Sequence, residues 1–109
     1  MHIVEEIRER KPNAIIVVNA ILPCDDKLDS KNMKIRQIIN DGLRLSVDGS
    51  EDKNIYYFDA LHAFFDESSQ NKIEGLHIGS VHLSMHGYYQ WATEIIKWTK
   101  ERLDIDLTE

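Results

Sequence analysis

"AIIVVNAIL", Ala14 to Leu22, is apolar at nearly every position and rich in β-branched residues. A strand buried on one face alternates apolar and polar side chains, and this run does not. It therefore reads as a central parallel strand covered on both faces. On its N-terminal side, "HIVEEIRERK" puts Ile3, Val4 and Ile7 on one helical face with charges opposite, and Pro12 stops the helix. On its C-terminal side, "PCDDKLDS" is a loop in which Asp29 or Ser30 can cap the next helix. In that helix Met33, Ile35, Ile38, Ile39 and Leu43 recur at helical spacing. "SVDGSEDKN" is a polar connection to a second, aromatic strand, "IYYFDA", Ile55 to Ala60. "LHAFFDESSQNKIEG" is expected as a short helix followed by loop. A last helix opens at Ser84 as N-cap, with Tyr88, Trp91, Ala92, Ile95, Ile96 and Trp98 on its apolar side.

The order helix, strand, helix, strand, helix is one βαβ unit with flanking helices, and the fold class is α/β. Two parallel strands make a small sheet with two open edges, yet "AIIVVNAIL" has the composition of a strand inside a larger one. Two arrangements meet that need. In the preferred one, residues 1–109 are the C-terminal portion of a larger domain; in the other, they form a single domain completed by an obligate or swapped homodimer.

With 109 residues the chain is one domain at most. A net charge of −6 and the lack of a basic stripe argue against nucleic acid or an anionic membrane as partner. Cys24 is the only cysteine, which excludes an internal disulfide and fits a reducing compartment. No stretch reads as a signal peptide or a membrane span, so a cytoplasmic location is the expectation. No cofactor-binding motif is visible.

Chemistry concentrates in "EGLHIGSVHLSMHGYYQWA", Glu74 to Ala92, which holds three of the five histidines. The chain resembles the C-terminal half of an SGNH (GDSL-type) ester hydrolase, of the platelet-activating-factor acetylhydrolase-like branch. Four stretches carry the likeness: "EEIRERKPNAIIVVNAILP", "NMKIRQIINDGLR" with Asn40 and Leu43, "IYYFDA", and "VHLSMHGYYQWA". Only the last is specific. The resemblance implies a three-layer, flavodoxin-like fold with parallel strands, incomplete by itself. It also implies a histidine that takes the proton from a serine nucleophile, oriented by an acid three residues before it. By its "HLSxxGY" context the matching base is His82, followed by Leu83, Ser84, Gly87 and Tyr88.

Two departures weaken the implied site. Gly79 stands three residues before His82, where the resemblance expects the acid. "EGLH" offers the reverse: Glu74 precedes His77 at the right distance, but the following context is missing. Glu74 is thus a candidate substitute acid, and His77 an alternative base. The serine is the larger gap. No Gly-Asp-Ser block occurs, "VDGSED" has those residues in the wrong order, and Asn40-Asp41 lies within a helix and is no oxyanion motif. Metal binding by His77, His82 and His86 is disfavoured, because the last helix should start between His82 and His86 and the spacing fits no zinc motif. His2 and His62 read as solvent or packing residues, and Asp59 as a strand-end residue able to face a cleft. Two functions follow: part of a serine esterase acting on small acyl or acetyl esters once an N-terminal half completes it, or a catalytically inactive SGNH-like interaction module.

Overall fold

The computed structural model describes residues 2–22, 31–66, 71–72, 77–78 and 82–108, with positions 31, 32, 65, 66, 71, 72, 77, 78 and 82 as backbone. Helix α1 spans His2–Arg10, strand β1 Ile16–Asn19, helix α2 Lys31–Asp48 and strand β2 Ile55–Phe58. A 3-10 turn at Leu61–Ala63 follows. Then come two short antiparallel hairpins, β3 (Phe65–Asp66) with β4 (Asn71–Lys72) and β5 (His77–Ile78) with β6 (His82–Leu83). Helix α3, Met85–Leu103, ends the ordered elements. The expected caps Asp29 and Ser30, with Cys24, Glu74 and Gly79, lie outside the described residues.

The α/β class holds. Strands β1 and β2 pair in parallel, Ile16 opposite Ile55 through Asn19 opposite Phe58. Residues alternate between the faces of a strand, and the two faces of β2 meet different helices. Trp98 of α3 lies against Tyr56 and Phe58, with ring centroids 6.2 and 5.1 Å apart. Tyr57 feels Arg44 and Asp41 of α2 instead. Helices α2 and α3 therefore cover opposite faces, which gives the α/β/α layering of part of a flavodoxin-like fold. The core sits on the α3 side, where Phe58, Ala60, Ala63, Phe64 and Leu83 are buried and Val17, Trp91, Ile95 and Trp98 pack around them.

Helix α2 presents an unexpected face to the sheet. Of its periodic apolar residues only Met33 is fully buried; Ile35, Ile38 and Ile39 are exposed, Ile38 by 72%. The buried line is instead Met33, Arg36, Asn40 and Val47. These residues recur one or more helical turns apart, so this is a true helix face, but half of it is polar. Asn40 shows why. Its side-chain oxygen accepts the Ile21 N–H at 2.8 Å, and its amide donates to the Ile21 carbonyl at 3.1 Å. One side chain thus supplies the two partners a neighbouring strand would give, just where the chain leaves β1. Replacing Asn40 with Leu strands both backbone groups of Ile21 and should cost about 2 kcal/mol or more, read as a lower urea midpoint at unchanged slope.

A second polar staple joins α1 to the loop before β2. The Arg8 guanidinium donates to the Pro12 and Ala14 carbonyls at 2.9 and 2.6 Å, and to Asp52 at 2.6 Å. The Asn54 N–H also donates to Asp52, and this bond does most to hold its carboxyl below the ordinary 3.8; burial opposes the shift, and Arg8 adds to it. A carboxyl depressed on folding stabilises the fold above the pKa it has when unfolded, and that contribution is lost as the pH falls through the folded value. Between about pH 4 and 2 the protein should lose stability more steeply than an Asp52→Asn variant. Parallel melting curves of the two across that range check it.

Candidate functional site

The histidine block lies where the small β5–β6 hairpin feeds into α3. Leu83 is buried against Phe58, Ala60, Ala63 and Phe64, residues at and beyond the carboxyl end of β2. The next residue, Ser84, is the N-cap: it is extended (φ −69°, ψ 172°) and its hydroxyl accepts the Gly87 N–H at 3.0 Å. Backbone position 82 is therefore followed directly by a core anchor and then by a capped helix start. Parallel α/β sheets bind ligands beyond the carboxyl ends of their strands, and this junction lies at that end.

The block is not a plain loop. Position 77 pairs with Leu83, and Ile78 with position 82. The hairpin brings both histidine positions into one ribbon without making them cross-strand partners. Alternation sets positions 77 and 83 on one face and 78 and 82 on the other. Helix α3 starts at Met85, between His82 and His86, so these two do not share a helical face, and His86 is exposed.

One pairing was missed in the sequence. His62, read as a solvent or packing residue, has Nε2 3.0 Å from Oε2 of Glu94 on α3. The two line a small cavity of about 150 Å³ at the carboxyl end of β2, together with Phe58, Asp59, Lys97 and Trp98. Asp59 does reach this cleft, but its carboxylate is engaged locally, accepting the Leu61 N–H at 2.8 Å. Glu94 lies thirty-two residues from His62, and only the docking of α3 on β2 joins them; no local pattern could signal it. Among the described residues no three His, Cys, Asp or Glu side chains converge as a metal site.

No family model matches the chain. No curated protein matches it either. Among solved structures the fold is similar to a protein from Streptococcus pneumonia, provisionally described as a platelet activating factor, with a TM-score of 0.73 at 14% identity. The match covers 88% of this chain and 46% of that one, so the chain spans less than half the length of the structure it resembles. At this identity the likeness shows an α/β fold with parallel strands. Among the described residues no helix is long and apolar enough to cross a membrane.

Proposed function

We propose that residues 1–109 form the C-terminal part of an SGNH-type serine ester hydrolase, acetylhydrolase-like, and carry its histidine block. The observation that carries this reading is the junction itself: "HLSxxGY" begins beside the carboxyl end of β2, with Leu83 in the core and Ser84 capping α3. A general base must be held still relative to its nucleophile, because proton transfer acts over hydrogen-bond distance only. A buried residue followed by a helix cap provides that rigidity.

In this reading His82 accepts the serine proton as the oxygen attacks the ester carbonyl, then returns it to the leaving alkoxide. Imidazole suits both steps because its pKa lies near neutrality. Serine and oxyanion donors come from residues outside this sequence, in the part of the domain beyond the matched half of the structural neighbour. Glu74 is the substitute for the acid missing at Gly79, and His77 the alternative base. The "LSxxGY" context that follows it favours His82 over His77. The substrate class is a small acyl or acetyl ester.

The test is turnover of p-nitrophenyl acetate by the natural full-length gene product and its His82→Ala variant. Loss of a positioned general base should lower the rate by about 10²–10⁴-fold. Equal rates above the buffer background would refute the assignment. Gly79 favours one second reading, a relative that kept the fold and lost the chemistry. Absence of any turnover in the natural product would support that interaction module instead.

A further inference from the structure

Helix α2 carries a second line of residues. Its buried line, Met33, Arg36, Asn40 and Val47, faces the sheet. Ile35, Ile38, Gly42 and Leu45 each stand two residues from a member of that line, and two residues turn a helix by about 200°. The four therefore lie on the opposite side, pointing away from the sheet along about 15 Å of helix. Their side chains are open to solvent: Ile35 is 45% exposed, Ile38 72% and Leu45 61%, with Ile39 beside them at 44%. Gly42 stands in the middle of this apolar line. A glycine inside a helix is destabilising relative to alanine, and a Cβ at this position would meet nothing within 4 Å. No neighbour among the described residues therefore requires the glycine. What a glycine at such a point permits is the close approach of another backbone.

We infer that this face joins two copies of the chain, α2 against α2, antiparallel across a two-fold axis. The inference goes beyond the hydrolase reading and does not depend on it. More of the same α/β domain would not cover the face, because a wider sheet extends the layers sideways and this is the outer side of a helical layer. The charges choose a second copy. Lys34 and Asp48 are about four turns apart and flank the same side of the apolar line, one near each end. In an antiparallel two-fold pair each Lys34 comes to the Asp48 of the other copy, so the contact is made twice. Lys34 has no ion pair among the described residues, and Asp48 has only Arg44, with Nη1 3.8 Å from its Oδ2. The same operation sets Ile38 of each helix against Gly42 of the other and Ile35 against Leu45, so the most exposed side chain of the line fills the gap at the glycine. The two Asp41 carboxylates approach near the axis, each with Arg44 Nη2 3.7 Å away to offset the repulsion.

Sedimentation equilibrium of the natural full-length product, run over a range of concentrations, should show monomer and dimer in exchange. Ile38→Glu changes an exposed position and should weaken the dimer at least about a hundredfold with the circular dichroism spectrum unchanged, since the side chain is buried once in each copy. Gly42→Ala should raise the melting temperature of the dilute monomer and yet weaken the dimer about tenfold, a split that a glycine serving only its own helix would not produce. Lys34→Glu and Asp48→Lys should each weaken the dimer about tenfold, and the double variant should recover most of that loss. A parallel pair would set each position against itself and give no such recovery. These surface charges also keep the test intact should Ile38→Glu disturb the fold. Three results would overturn the inference: a monomer at every concentration up to millimolar, a dimer that Ile38→Glu leaves intact, or a double charge variant no better than either single one. Ester turnover plays no part in these readouts, so this inference and the hydrolase reading can fail separately.

Discussion

Replacing Phe64 by alanine is expected to lower the unfolding free energy by about 3–5 kcal/mol, a large share of the roughly 5–15 kcal/mol that holds a small domain together. Among the described residues Phe64 is the largest fully buried side chain, at 0% exposure, and it lies in the cluster that contains Phe58, Ala60, Ala63 and Leu83. Its removal costs the transfer free energy of the ring and leaves a cavity that β2, the 3-10 turn and α3 can collapse into only in part. Denaturant unfolding followed by tryptophan fluorescence reads the change, because Trp91 and Trp98 border the same cluster. Leu83 precedes the cap of α3 and follows position 82. The same variant should therefore loosen the candidate base, and its rate on p-nitrophenyl acetate should fall under conditions where the protein is still folded. A Phe64→Leu variant fills most of the space and should recover more than half of the loss.

Arg8→Ala should be the next most damaging change, at about 2–3 kcal/mol. The guanidinium reaches the carbonyls of Pro12 and Ala14 and the carboxylate of Asp52 together, across the turn that aims β1 and the loop that starts β2. Its loss leaves the part-buried Ala14 carbonyl without this partner, and unmade bonds cost more than made ones contribute. Lysine carries the charge but not the planar fork, so Arg8→Lys should rescue little of the stability. A drop in Tm of about 10 °C for alanine, with less than half regained by lysine, is the expected pattern. Full rescue by lysine would mean that charge, and not geometry, holds the turn.

The main elements were legible because their periods are strong. "AIIVVNAIL" lacks alternation and forms a strand in a parallel pair with a helix on each side of the sheet; Ser84 stands before a helical apolar series and caps it. What was illegible follows from contacts between distant parts. Helix α2 buries Arg36 and Asn40 and exposes Ile35, Ile38 and Ile39, so hydrophobicity alone points to the wrong face. Asn40 is buried for its two bonds to Ile21, a partner nineteen residues away. Arg8 looks like one charge among several on α1 until Asp52 is brought to it. The two small hairpins have two-residue strands, too short for any period to show, and one of them makes a ribbon of the histidine block. The site was readable as far as a motif can carry it. "HLSxxGY" gave the position of the proposed base, and the fold places buried Leu83 and the Ser84 cap directly after it.

The central claim is that position 82 holds a base whose orienting acid is missing at position 79. A double-variant cycle on the natural full-length product tests it most directly, by turnover of p-nitrophenyl acetate. Gly79→Asp should raise the rate by about tenfold or more when His82 is present, since a carboxylate fixes the tautomer and steadies the imidazolium. The same substitution should do nothing in a His82→Ala background. A gain that persists without His82, or no gain in either background, would contradict the account.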